Sequence, residues 1–164
     1  MPKPVGKILK LSDALKLSGK LRLTVTDPKT GKIVAVVETE NLVVTVGKGL
    51  VCDLLIDASG YDTGITYCAL GTGTNAPALG NTTLQTEAAR KIMTSRTRAG
   101  SVMTFSTFFT AAQSTVNVKE VGLFGHSTAG AGANTGILFC RALMSYDNSG
   151  GNYDLTFSWE CTVA

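Results

Sequence analysis

The segment 153–163, YDLTFSWECTV, constrains the fold more than any other part of the chain. Its large or apolar side chains stand at every second position: Tyr153, Leu155, Phe157, Trp159, Cys161 and Val163. Successive side chains of an extended strand point to opposite faces, so this spacing puts all six on one face. A strand with one apolar face needs other strands or helices to cover it, which predicts a sheet with a buried surface.

Other segments carry the same signal between turn-forming residues. Residues 19–26 and 33–39 alternate similarly, and DPKTGK between them has Gly31 where a hairpin turn needs a positive φ. Further strands are predicted at 41–46, 65–71, 101–109, 116–125, 136–144 and 153–163. Because no regular alternation of strands and helices is visible, the sequence predicts an all-β fold, an antiparallel β-sandwich of about eight strands.

One segment has helical spacing instead. In residues 47–57, GKGLVCDLLID, the side chains of Leu50, Val51, Leu54 and Leu55 share one helical face, which predicts a short helix packed through that face. Residues 83–94 fit a helix or a strand equally well. The small residues 127–136, STAGAGANTG, predict an exposed, flexible loop between two core strands.

Charge divides the chain into two parts. Residues 1–32 hold eight Lys or Arg against two Asp, whereas the whole chain carries +3, so the remainder is mildly acidic. We therefore predict an N-terminal arm at 1–18 and a β-sandwich domain at 19–164. The arm suits nucleic acid, an anionic surface, an acidic patch on a neighbouring subunit, or solvent alone. Its candidate partner-docking residues are Lys3, Lys7, Ile8, Lys10 and Leu11.

The four cysteines, Cys52, Cys68, Cys140 and Cys161, form no C-x-x-C pair, and the chain has one histidine. This pattern argues against a zinc site. Each cysteine lies in an apolar stretch, which favours buried free thiols. Two disulfides are the alternative, and they would need an oxidising setting such as a released particle.

No motif predicts catalysis or cofactor binding. GTGTNA (71–76) has the form of a dinucleotide fingerprint, but Pro77 and Gly80 prevent the helix that would hold a pyrophosphate, so we expect a loop. The twelve carboxylates are scattered, and Asp53 and Asp57 are interpreted as a solvated helix face. Arg90, Lys91, Arg96 and Arg98 fit an exposed strand edge protected by charge. We expect no catalytic residues, cofactor or metal, and a structural or binding protein rather than an enzyme.

Three segments together resemble a known group. They are NLVVTVGKGLVCDLL (41–55), ITYCALGTGTNAPALGNTTLQTEAARK (65–91), and KEVGLFG (119–125) with GILFCRALMSY (136–146) and LTFSWECTV (155–163). Their order resembles small bacteriophage virion proteins, which carry a GTGT-x-AP loop, an E-V-G-L-F strand and an L-F-x-R-A strand. Such proteins are described as tail-fibre, baseplate, collar or head-decoration components. The resemblance covers roughly residues 19–164 and implies no catalytic residue.

The resemblance implies a virion structural protein, an oligomeric tail, baseplate or neck component docked through its arm. We expect a homotrimer or ring, with capsid, neck or tail subunits as partners, synthesised in the host cytoplasm and located in the virion. Neither a membrane nor a direct nucleic-acid role is expected, because no apolar run is long enough to span a bilayer and aromatic residues are few. The alternatives are a capsid decoration protein and a receptor- or carbohydrate-binding module.

Overall fold

The strands among residues 16–58 and 63–164, the part that the computed structural model describes, form one antiparallel sheet. Its spatial order is β4-β3-β7-β8-β2-β1-β9-β6-β5. The nine strands are β1 (Leu17–Thr26), β2 (Ile33–Val43), β3 (Ile65–Gly71), β4 (Glu87–Ile92), β5 (Ser95–Ala99), β6 (Val102–Phe109), β7 (Asn117–Gly125), β8 (Ile137–Asp147) and β9 (Asp154–Val163). The helix α1 (Thr45–Leu55) and a short 3₁₀ helix (Ala111–Gln113) complete the described elements. The all-β prediction is confirmed.

The sheet curls until its two halves face each other. β2 belongs to both halves: it pairs with β1 along most of its length, but with β8 only at Leu42 and Val43. Phe105 of β6 and Phe139 of β8, from opposite halves, approach to 6.5 Å between ring centroids. The two halves thus enclose one inner core. The strand count exceeds the predicted eight because the ambiguous residues 83–94 supply β4, and the next five form β5.

The alternating strand predicted at 153–163 is confirmed as β9, and its apolar face lies in this core. Leu155, Phe157, Trp159 and Cys161 are buried, and Tyr153 and Val163 are half-buried at its ends. Each fully buried apolar side chain of this size stabilises the fold by about 1.5–3 kcal/mol relative to exposure. The sequence thus places its largest side chains where the two halves meet.

The predicted β1–β2 hairpin is also confirmed. The Asp27 carboxylate accepts hydrogen bonds from the Lys29 N–H at 2.8 Å and the Thr30 hydroxyl at 3.0 Å, which lower its pKa, and Gly31 has a φ of +67°. The separate strand predicted at 41–46 is wrong. Residues 41–43 extend β2 because Asn41 pairs with Gly19 of β1, and the helix begins at Thr45.

Helix α1 lies two residues before its predicted position, and only two of the four residues of its predicted apolar face pack on the core. Leu50 is buried and Val51 is half-buried, whereas Leu54 and Leu55 are exposed. The helix rests on β8 through Gly47, where a Cβ would collide with the carbonyl of Phe139. Leu50 and Val51 lie on the side of the helix that packs on the core.

The arm assignment is only partly within the described residues. Strand β1 begins at Leu17, so residues 17 and 18 belong to the sheet rather than to the arm. Lys3, Lys7, Ile8, Lys10 and Leu11 lie outside the described residues. Within the described part of the chain, no helix has the length and hydropathy needed to cross a membrane.

Candidate functional site

A buried carboxylate at Glu120 on β7 gathers four hydrogen bonds. Its Oε1 atom accepts from the backbone N–H of Gly73 at 3.1 Å and of Thr86 at 2.7 Å. Its Oε2 atom accepts from the N–H of Gln85 at 2.9 Å and from Nε of Arg141 at 2.8 Å. Glu120 therefore ties both ends of residues 72–86, called here the pinned loop, to the outer face of the sheet.

Arg141 on β8 extends this network to the middle of the pinned loop. Its Nη1 atom donates to the side-chain oxygen of Asn81 at 3.1 Å and to the carbonyl of Ala76 at 3.5 Å. The same Asn81 oxygen accepts from the N–H of Ala78 at 2.8 Å. The Glu120 and Arg141 side chains are 0% and 2% exposed, so water does not stabilise their charges. Each charge is instead stabilised by the opposite charge of the other.

The glycines of the GTG sequence make room for this carboxylate. A Cβ at Gly73 would collide with Oε1 of Glu120, and a Cβ at Gly71 would lie 2.5 Å from the carbonyl of Thr86 and 2.7 Å from Oε1 of Glu120. The predicted loop at 71–76 is confirmed, because no helix begins there. The glycines that give this loop the form of a dinucleotide fingerprint are needed here for another reason, because they let the backbone approach the buried Glu120 side chain.

The pinned loop covers a second, smaller core on the outer face of β3, β7 and β8. Leu84 of the loop is buried there with Val44, Ala69, Phe124 and Leu138. At its tip, the carbonyl of Leu79 accepts a hydrogen bond from the N–H of Thr45 at 2.9 Å. The tip of the loop therefore lies against the first turn of α1, and the Leu79 side chain is 51% exposed there.

Helix α1 carries exposed apolar side chains on the sides that do not face β8. Together with Leu79, these exposed side chains are called here the α1 surface: Val46, Cys52, Leu54, Leu55, Ile56 and Leu79. Leu55 and Ile56 are 77% and 74% exposed. Several exposed apolar side chains on one short element commonly mark a surface that another protein covers.

A second buried ion pair holds the loop between β7 and β8. Nη1 of Arg90 donates to the carbonyls of Gly130 and Thr135, each at 3.0 Å, and Nη2 donates to Glu87 at 2.9 Å. The N–H of Asn134 donates to the same Glu87 carboxylate at 2.8 Å. The 127–136 loop is exposed, as predicted, but hydrogen bonds tie it to β4.

The prediction that Arg90 belongs to an exposed charged edge is wrong. Its side chain is 3% exposed, and its guanidinium lies 4.5 Å above the Phe124 ring. The edge interpretation is confirmed for Arg96 and Arg98, which lie on β5, an exposed strand at one end of the sheet. Two carboxylates that the sequence analysis did not single out, Glu87 and Glu120, are buried against arginines.

The free edge of β2 is a further exposed apolar segment. Along residues 33–41, β2 pairs with β1 on one side and with no described strand on the other. Ile33, Val34 and Val36 are 62%, 49% and 43% exposed. An unpaired edge of this kind is able to accept a strand from another chain.

The outer face of β1, β2 and β9 forms a shallow groove of about 630 Å³. Its charged lining residues are Lys20, Arg22, Glu38, Glu40 and Glu160. The charges have both signs, and Arg22 and Glu38 form an exposed ion pair at 3.8 Å. No cluster of His, Cys, Asp or Glu among the described residues could hold a metal ion.

The cysteines divide into two kinds. Cys68, Cys140 and Cys161 are buried free thiols, as predicted, and burial raises the pKa of Cys68 to about 12. Cys52 is exposed on α1, so the buried prediction is wrong for it, because the helix turns that position away from β8.

The sequence analysis missed the Glu120–Arg141 pair. A signal was present, since each charge interrupts an apolar run, in KEVGLFG and in LFCRAL. In comparisons with known proteins, no family model, no curated protein and no solved structure matches this chain.

Proposed function

We propose that this chain is a structural component of a bacteriophage particle, an oligomeric part of the tail, baseplate or neck. The observation that carries the proposal is the α1 surface beside the pinned loop. The GTGT-x-AP segment, the Glu of E-V-G-L-F and the Arg of L-F-x-R-A, which carry the resemblance, meet in one hydrogen-bond network. That network positions an exposed loop rather than a reactive group.

The distribution of charge and apolar surface supports assembly over chemistry. Glu120, Arg141, Glu87 and Arg90 hold loops in place. Apolar side chains remain outside, on α1 and on the β2 edge. Exposed apolar patches on folded chains commonly mark protein interfaces, and homo-oligomers usually close with symmetry. We therefore propose a homotrimer or ring, assembled with capsid, neck or tail subunits in the virion.

We propose that the curled sheet acts as a β-sandwich whose two layers are joined through β2. In the proposal, residues 1–15 form the anchoring arm and the remainder forms the domain. Since β1 begins at Leu17, a truncation should remove residues 1–15 and leave the strand intact. We expect the truncated chain to fold and to be absent from purified particles. Incorporation at normal copy number would contradict the anchoring role.

The α1 surface provides the sharper test. We expect Leu55→Asp to reduce the copy number of the protein in particles by at least about tenfold, because a charge would be buried at the interface. Ile92→Asp is the matched control, since Ile92 is 60% exposed on β4, outside the α1 surface. Quantitative mass spectrometry of purified particles measures both variants. Equal incorporation of the two would refute assembly through α1.

A capsid decoration protein is the nearest alternative within this class, and localisation on the particle distinguishes it. The alternative from another class is a receptor- or carbohydrate-binding module, whose binding site would be the surface groove. No aromatic residue lines that groove, and sugar sites commonly stack rings on aromatic side chains. We therefore place assembly ahead of sugar binding.

A further inference from the structure

The free edge of β2 is regular enough to pair with a further strand. Residues 35–41 keep an unbroken register with β1 on one side, and no described strand lies on the other. Proteins commonly protect an exposed edge with charge, as β5 does with Arg96 and Arg98. Residues 33–37 of β2, IVAVV, carry no charge. The β2 edge is therefore open to pairing where β5 is protected.

Both faces of β2 are incompletely covered beside this edge. Ala35 and Val37 pack on the inner core but are only half-buried. On the opposite, outer face, Val36 is 43% exposed and the Glu38 side chain is 68% exposed. An added strand would therefore fit best with apolar side chains toward the inner core and an apolar and a basic side chain on the outer face.

The chain itself contains a segment with this pattern, residues 7–11, KILKL. In an extended strand, Leu9 and Leu11 share one face, with Lys7 at its end. If the leucines faced the inner core, they would cover Val37. The long side chain of Lys7 would reach solvent from the end of the added strand.

The opposite face of the segment complements β2 in charge. Ile8 and Lys10 would then stand on the outer face of the sheet, where β2 carries Val36, Glu38 and Glu40. Val36 would gain an apolar neighbour, and the two carboxylates would gain a basic one. Cross-strand pairs of both kinds stabilise a sheet.

The route of the chain favours the edge of a neighbouring copy. Lys16 and Ala164 exchange backbone hydrogen bonds at 2.7 and 2.9 Å, so the arm leaves the sheet on the β1 side of β2. The free edge lies on the other side of β2, and the end of β2 nearest to the arm is paired with β8 at Leu42 and Val43. An arm that returned to its own edge would have to pass around this connection. The edge of a second copy has no such obstacle.

We propose that residues 7–11 of one copy add a strand to the β2 edge of a neighbouring copy. Addition of a strand to a sheet edge is a common form of protein recognition, in which backbone hydrogen bonds provide affinity and side chains provide specificity. The contact joins two different surfaces, so its repetition from copy to copy closes into a ring when the rotation allows it. The choice of a second copy rests on the proposed assembly role, and the contact would build the homotrimer or ring proposed there.

The test uses two co-expressed full-length chains, each carrying Cys52→Ser to remove the exposed thiol. One chain also carries Val36→Cys on the β2 edge, and the other carries Ile8→Cys in the arm. The purified mixture is treated with a short bismaleimide, and its digest is analysed by mass spectrometry. We expect a peptide pair that links position 8 of one chain to position 36 of the other.

The matched control replaces Val36→Cys with Thr97→Cys, which lies on the exposed strand β5 at one end of the sheet. The yield of linked dimer at position 36 should exceed the control by at least about tenfold, because docked side chains meet at a much higher effective concentration than freely diffusing ones. Val36→Cys changes an exposed side chain, so we expect the fold to persist.

A charge exchange tests the predicted pairing of the outer faces. Glu38→Lys in the chain that offers its edge should lower the yield of linked dimer, and Lys10→Glu in the chain that offers its arm should restore part of it. A yield that Glu38→Lys leaves unchanged would contradict the proposal.

Two further results would overturn the proposal. One is a yield of linked dimer no higher than that of the Thr97→Cys control. The other is a link within a single monomer that carries both Val36→Cys and Ile8→Cys, which would place the arm on its own edge. Since these experiments use purified chains, failure of the arm contact is distinguishable from failure of the assembly role, which antibody labelling of particles tests separately.

Discussion

Replacing Glu120 with Gln should destabilise the protein strongly, although the two side chains have nearly the same shape. The substitution leaves the Arg141 guanidinium buried, at 2% exposure, without its counter-charge. Breaking a buried ion pair by removing one partner costs about 3–5 kcal/mol. It also sets a side-chain N–H₂ group against backbone N–H donors of the pinned loop, three of which reach the carboxylate.

For a domain of this size, that loss corresponds to a fall in Tm of roughly 10 °C, measured by calorimetry. The matched control is Glu38→Gln, which breaks the exposed Arg22–Glu38 pair, and we expect it to cost less than about 1 kcal/mol. Hydrogen exchange should also accelerate in residues 72–86 before the strands of the inner core. The reasoning is refuted if Glu120→Gln and Glu38→Gln lower the free energy of unfolding equally.

Three further predictions concern single positions. Gly73→Ala should lower Tm, because its Cβ would collide with Glu120. Gly80→Ala is the control and should leave Tm nearly unchanged, because open space surrounds that position. Equal Tm values for the two variants would contradict the packing argument. Cys52 should react with a thiol reagent in the folded protein, and the other three thiols only on unfolding; rapid labelling of more than one thiol would count against this. Burial raises the pKa of the Cys68 thiol from 9.0 to about 12 in the folded state. Between these two pH values the thiol ionises only in the unfolded state, which favours unfolding, so the free energy of unfolding should fall as pH rises. In denaturant titrations, Cys68→Ala should lose less stability than the unmodified chain as pH rises above 9.0. An equal loss in both chains would refute the assignment of this pH dependence to Cys68.

The strands that carry strict alternation could be predicted from the sequence, because burial of one face dictates the spacing. The segment 153–163 and the β1–β2 hairpin are confirmed for this reason. The prediction splits strand β2 at Glu40, the one residue between the predicted strands 33–39 and 41–46. Its continuity comes from pairing with Lys20 and Gly19, which is a tertiary effect.

The candidate site was less predictable, because contacts distant in sequence create it. Glu120 and Arg141 are 21 residues apart, and Asn81 is 60 residues from Arg141. The exposure of α1 also escaped prediction. Helical spacing identifies an apolar face, but the coverage of that face depends on where the helix lies on β8, which the sequence pattern does not give.

The most direct test of the central claim is the location of the protein on phage particles. Gold-labelled antibody to the purified chain, viewed by electron microscopy, should mark the tail, baseplate or neck. Label spread over the head would reassign the protein to capsid decoration. Absence of label on particles whose surfaces are accessible to antibody would contradict the claim that this chain is a virion component.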